Sequence, residues 1–190
     1  MEQSKKRDHK IFITEQAIEK VPLVKLPGFS NEDALTLWRE HRELLHDAKE
    51  NNDSNEVLTV LSLARNRKVR RYGDEFSVNI DNDPEAVGLF STAQGRELAY
   101  LHNHPSTNGI SFPDIFQLIR FAQIGLLTVV TNQGELYALQ KLPSFSFPGA
   151  YPFFQKFSRA YDEGNITQEE AAKQFLKGCK EVGLHYEKSL

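Results

Sequence analysis

The chain has one cysteine, Cys179, so no intrachain disulfide can form and the core alone must hold the fold. No apolar run approaches the roughly eighteen residues that cross a bilayer. The first residues are charged (Lys5, Lys6, Arg7, Asp8), which is not the pattern of a signal peptide. A reduced thiol, no span and no leader together point to the cytoplasm. Internal repeats and low-complexity stretches are absent, which excludes solenoid and array architectures. Positive charge is not in excess either: 23 Lys and Arg face 26 Asp and Glu, for a net charge of −3. Basic residues cluster only at 4–10 and 65–71, which weighs against nucleic acid as the main partner. The run Arg67-Lys68-Val69-Arg70-Arg71 reads as a solvated strand at a sheet edge. With 39% apolar and 26% charged residues over 190 positions, the composition is that of a globular chain with one sizeable core and room for extensions.

Residues 1–10 read as a mobile tail, and 11–26, broken by Pro22 and Pro27, as one edge strand. Ser30 and Asp33 form a capping box that opens a helix to about residue 50. Its apolar stripe, Ala34, Leu37, Trp38, Leu44, Leu45 and Ala48, steps by three and four, with Trp38 as a packing anchor. His41 and His46, five apart on this helix, fall on different faces and make a poor metal pair. Strands over 56–63 and 68–80 follow, then a helix from Asp83-Pro84 to about 94. A strand leads into His102, a helix runs over 113–124, and strands at 126–131 and 135–142 flank the turn Gln133-Gly134. That order is an α+β pattern. Thr167 and Glu170 cap a last helix that runs through Cys179 to Gly183.

Between them, 143–161 holds Phe145, Phe147, Tyr151, Phe153, Phe154, Phe157 and Tyr161 among prolines and a glycine. So many rings exceed what an exposed loop carries. The segment is either a strap over the sheet or a wall of a substrate groove, held in a fixed extended shape, with Phe147 and Phe153 as substrate-binding rings. The chain divides into a tail and helical extension (1–54), a metal-binding core (55–142), and an aromatic segment with a final helix packed on that core (143–190).

The stretch YLHNHPSTNGISFPD, residues 100–114, carries the chemistry. His102 and His104 lie two apart on a strand, so both imidazoles point to one face and can chelate one ion. Pro105 ends the ladder, since it has no N–H to give. Ser111 then caps a helix whose third residue is Asp114. Two nitrogens and one carboxylate oxygen leave a fourth tetrahedral position open, the arrangement of a catalytic rather than a structural zinc site. A His in a soluble domain is more often a surface residue than a ligand, and His-Asn-His alone is weak. The contiguity of that tripeptide also counts against an HNH nuclease, whose residues are scattered. It is the set of His102, His104, Pro105, Ser111 and Asp114 at these offsets that speaks for a metal.

At these residues the chain resembles the JAMM (MPN+) metallopeptidases, whose signature is an upstream Glu, then His-x-His-Pro, then Ser-x-x-Asp. The wording His102-Asn103-His104-Pro105-Ser106 is closest to the prokaryotic RadC-like and phage-type branch. The resemblance spans about 55–141, and the six residues between His104 and Ser111 are one fewer than the family's usual spacing. It implies a cytidine-deaminase-like mixed sheet flanked by helices, with N- and C-terminal helical extensions, and Zn²⁺ held by His102, His104 and Asp114. It also implies an acid from an early strand. Glu56, which opens EVLTVLSL, fits best; Glu75 and Glu97 are the rivals. Glu56 would move the proton of a metal-bound water and Ser111 would donate to the oxyanion. The implied reaction is amide or isopeptide hydrolysis on a protein or peptide, for instance the tail of a ubiquitin-like protein. Two alternatives stand beside it: a non-catalytic scaffold of the same fold, and a RadC-like role near DNA.

Overall fold

A computed structural model describes residues 10–189. The tail reading falls on 1–10 and so lies outside the described residues except for Lys10, which ion-pairs with Asp53 at 2.8 Å. The chain begins with two helices, α1 (Glu15–Lys20) and α2 (Asn31–Asn51). The expected edge strand over 11–26 is therefore not formed. Thr14 caps α1 by accepting the Ala17 N–H, and the helix buries Ala17 and Ile18. Ser30 and Asp33 make the expected capping box on α2, which buries Ala34, Leu37, Leu44, Leu45 and Ala48.

Then come β1 (Val57–Ser62), β2 (Arg67–Tyr72), α3 (Pro84–Thr92), β3 (Leu98–His104), α4 (Phe112–Arg120), β4 (Ile124–Thr131) and β5 (Leu136–Lys141). The last part is α5 (Phe147–Asp162), α6 (Gln168–Gly178), a 3₁₀ turn (Cys179–Val182) and β6 (Leu184–Ser189). The fold is α+β: one mixed six-stranded sheet, in the order β2-β1-β3-β4-β5-β6, flanked by helices. Only β3 and β4 run parallel, because α4 crosses over between them. All eight residues of β4 are buried, as expected of a strand covered on both faces. One cover is α1 and α2, packed on Val57, Leu61, Ala99, Leu101, Leu126 and Val130. The other is α4, α5 and α6, packed on Leu127, Val129, Tyr137 and Leu139.

Three further expectations change. The second strand stops at Tyr72 rather than residue 80, since Asp74 turns the chain by accepting the N–H groups of both Phe76 and Ser77. The aromatic segment is not extended but helical. Ser146 caps α5, Pro148 sits in its first turn where no N–H is required, and Ala150, Phe154 and Phe157 form a buried stripe at helical spacing. Finally, the last helix ends at Gly178, Gly183 reverses the chain at φ 76°, and β6 pairs with β5. Residues 143–190 thus supply the edge of the sheet as well as packing on it. The basic run 67–71 does lie on the other edge strand, exposed or half-exposed along its length, and most of it is also ion-paired: Lys68 and Arg70 with Glu40, Arg70 with Asp47, and Arg71 with Asp83. No helix among the described residues is long and apolar enough to cross a membrane.

Candidate metal centre

The alternation of β3 decides what faces the site. Ala99 and Leu101 pack toward α2, so Tyr100, His102 and His104 project to the opposite face, where α4 begins. Pro105 ends the strand, and the loop that follows delivers Ser111 as the N-cap of α4. There Ser111 and Asp114 form a capping box: the Asp114 N–H donates to Ser111 Oγ at 3.2 Å, and Asp114 Oδ2 accepts from Ser111 N at 2.8 Å and Oγ at 2.6 Å. The box aims the carboxylate at the end of β3.

His102 Nε2 lies 3.1 Å from His104 Nε2 and 3.2 Å from Asp114 Oδ1, and His104 Nε2 lies 3.5 Å from Asp114 Oδ2. Glu56 is fixed one residue before β1 by backbone bonds on both sides, its N–H to Asp74 and its carbonyl from Gly73. Its Oε1 stands 4.0 Å from His102 Nε2. Glu56, His102 and His104 form a group whose ligand atoms lie within 4.8 Å of one another and can hold a metal ion. Asp114 is closer to both imidazoles than Glu56 is, so the two carboxylates flank the histidine pair at different distances.

The electrostatics follow from this crowding. Burial works to raise the Asp114 carboxyl, but the two imidazoles outweigh it and hold the group well below its ordinary value. Burial disfavours the charged His104 ring, yet the Asp114 carboxylate, with Glu56 behind it, lifts it to about 9. Glu56 moves the other way: burial raises its carboxyl, and His102 and His104 only partly offset this. His104 Nδ1 donates to the Asn108 carbonyl at 3.0 Å, which fixes the ring with Nε2 toward Asp114. His102 Nδ1 is buried with no such partner, so this support is one-sided.

Four residues picked from the sequence, Glu56, His102, His104 and Asp114, thus converge. The rivals of Glu56 do not. Glu97 lies at the far end of β3, where the Ser62 hydroxyl, the Gln94 N–H and Arg65 hold its carboxyl down at about 2. Glu75 lies in the loop after β2 and makes no contact with the histidines among the described residues. Ser111 is present, and its hydroxyl donates to Asp114 Oδ2, so it orients that carboxylate.

Neither ring expected to bind substrate lines the groove floored by Tyr100. Phe153 is packed between α5 and α6, its ring centroid 5.2 Å from both Phe157 and Phe175. Phe147 is exposed at the start of α5 and stacks on Tyr151. Helical spacing, not extended alternation, selects the inward ring, and that ring is Phe154, stacked 4.3 Å from Phe112 beneath the Ser111 cap.

Two contributors were missed. Tyr100, edge-on to His102 at 5.8 Å, floors a groove of about 530 Å³ between residues 77–81, α3 and α4, with Gln117 and Phe121 on its wall. Asn103 is fully buried on the opposite face and binds the backbone on either side of Glu56. The signal for Asn103 was present, since an Asn between two inward histidines must enter the other, covered face. No protein-family model, curated protein or solved structure matches this chain.

Proposed function

We propose that the protein is a zinc-dependent metallopeptidase or isopeptidase of the JAMM kind. The observation that carries this reading is the convergence of His102 Nε2 and His104 Nε2, 3.1 Å apart, on the Asp114 carboxylate, whose Oδ1 lies 3.2 Å from His102 and whose Oδ2 lies 3.5 Å from His104, with the Glu56 carboxylate alongside. A tetrahedral zinc with bonds of about 2.1 Å separates its ligand atoms by roughly 3.4 Å, and two imidazoles plus one carboxylate suit zinc rather than the oxygen-seeking calcium or magnesium. Bound there, zinc supplies a Lewis acid and a water acidic enough to attack at neutral pH.

The remaining steps belong to the chain. Asp114, locked by Ser111, and His104, locked by the Asn108 carbonyl, hold their orientations before any ligand arrives. The Glu56 carboxyl, raised by burial, takes a proton from the attacking water and returns it to the leaving amine. The Tyr100 groove, apolar at its floor and amide-lined at Asn79, Gln117 and Gln123, seats an extended stretch of a protein or peptide substrate, such as a ubiquitin-like tail.

The test is metal content and hydrolysis measured together. One zinc per chain and cleavage of a peptide library are expected, with cleavage lost on chelation and regained with zinc. His102→Ala with His104→Ala should remove both. Full zinc occupancy in that double variant, or undiminished cleavage by metal-free protein, overturns the reading.

A further inference from the structure

A second groove, of about 580 Å³, lies on the other side of the loop that carries the site. Its floor is Tyr137 and Tyr186, one wall is residues 107–112, and Lys173, Lys177 and Lys188 line it with one opposing acid, Glu169. The sheet register fixes its distance from the histidines. His102 pairs with Val129, Val129 with Tyr137, and Tyr137 with Lys188, in a single row across the sheet. At about 4.8 Å per strand, Tyr137 is roughly 10 Å and Lys188 roughly 14 Å from His102. The dividing loop is clamped from both sides. Asn108 and Ser111 hold His104 and Asp114, while Gly109 lies so close to Tyr137 that a Cβ there would stand 2.8 Å from the ring.

The lysines of this groove are uncommitted. Several cations elsewhere are spent in ion pairs, among them Lys10, Lys49, Lys68, Arg70 and Arg71. Among the described residues, Lys173, Lys177 and Lys188 join no ion pair. Lys173 lies in the field of Glu170, and Lys188 stands over the Tyr137 ring at 5.3 Å. A chain of net charge −3 thus gathers three unpaired cations at one concave surface beside its metal centre.

We propose that this groove binds an acidic segment of the polypeptide substrate, three or four residues from the bond that is cut. The proposal rests on the hydrolase reading. An extended peptide advances about 3.3 Å per residue, so that number of residues spans the 10–14 Å from His102 to the lysines. The cations are spread rather than convergent. Lys173 and Lys177 are one helical turn apart on α6, and Lys188 faces them from β6. Spread cations match carboxylates on alternate residues of an extended chain better than a single phosphate. The tyrosine floor gives the peptide backbone an apolar bed, and the lysine stems extend that surface.

Fluorescence anisotropy on the zinc-loaded Glu56→Gln protein tests this, with labelled peptides of equal length built on alternating Glu, Gln or Lys. The Glu peptide should bind about fivefold to tenfold tighter than the Gln peptide, an advantage that fades with salt. The triple variant Lys173→Gln, Lys177→Gln, Lys188→Gln should lose that advantage with unchanged zinc content and melting temperature, since all three side chains are exposed. Equal binding of the peptides, or a preference that survives the triple change, overturns the proposal. So does tighter, lysine-dependent binding of a single-stranded oligonucleotide of the same charge. Lysine-dependent Glu preference in a wild-type protein that cleaves no peptide would instead overturn the hydrolase reading and leave the groove standing.

Discussion

Asn103 accepts the Val57 N–H at 2.7 Å, from the face of the sheet opposite the histidines. Its amide donates to the Asn55 carbonyl at 3.1 Å and to Asn132 Oδ1 at 2.8 Å, so one side chain grips the backbone on both sides of Glu56. Asn132 continues the clamp to the Ser54 and Ile11 carbonyls, and its own N–H donates to the His104 carbonyl. Just before this segment Asp53 and Ser54 both take left-handed backbone, a conformation that needs such restraint. Asn103→Leu keeps the branched outline, though larger, but strands a buried N–H, a carbonyl and a partner amide. At about 1–3 kcal/mol for each orphaned group, a loss of roughly 3 kcal/mol or more is expected in urea unfolding. A loss under about 1 kcal/mol would show that the clamp matters little.

Glu56→Gln keeps the size of the side chain and removes only its capacity to move a proton. Zinc content should stay at the wild-type level, because His102 Nε2 lies 3.1 Å from His104 and 3.2 Å from Asp114 but 4.0 Å from Glu56. Hydrolysis should fall by about 10²-fold or more, the usual worth of a positioned acid–base group. A fall in bound zinc instead would make Glu56 a ligand.

The sequence made the site more legible than its surroundings, for a physical reason. The positions of His102, His104, Ser111 and Asp114 follow from short-range rules, strand alternation and an N-cap, which act within a few residues. Glu56 was harder, since its approach to β3 depends on the long-range pairing of Leu58 with His102. The extended shape expected of 143–161 rested on its prolines and glycine. Pro148 occupies a first turn that tolerates it, and the buried Phe154 and Phe157 stripe carries the helix past Pro152. β6 went unseen because LHYEKS is polar and half-exposed; only its partner β5 makes it a strand.

His41 supplies a pH test away from the metal. It is buried, with Nε2 2.7 Å from Thr128 Oγ1, and burial pulls its pKa down to about 4, against the nearby Leu37 carbonyl, which favours the protonated ring. The unfolded chain takes up this proton near pH 6.5, while the folded protein refuses it until about 4. The stabilisation is therefore full above pH 6.5 and is lost as pH falls toward 4, by about 3 kcal/mol in all. His41→Gln retains a polar partner for Thr128 and does not titrate, so its stability should decline less over that range. Parallel pH profiles of urea midpoint for the two proteins would refute the assignment.

Ser111 separates two roles in one residue. Its hydroxyl is bonded to Asp114 Oδ2 at 2.6 Å and receives the Asp114 N–H, so it serves as helix cap and ligand holder at once. The family resemblance instead gives it a bond to the developing oxyanion, which would require the hydroxyl to turn away from Asp114. Ser111→Ala should cost about 1 kcal/mol of stability through the lost cap, and about 10- to 100-fold in zinc affinity through the freed carboxylate. If holding Asp114 is the whole role, the cleavage rate returns to near wild type once zinc is saturating. Ser111→Thr, which keeps the hydroxyl, should match wild type in both measurements. A rate that stays down by 10²-fold in zinc-saturated Ser111→Ala, with Ser111→Thr unaffected, would assign the hydroxyl to the oxyanion instead.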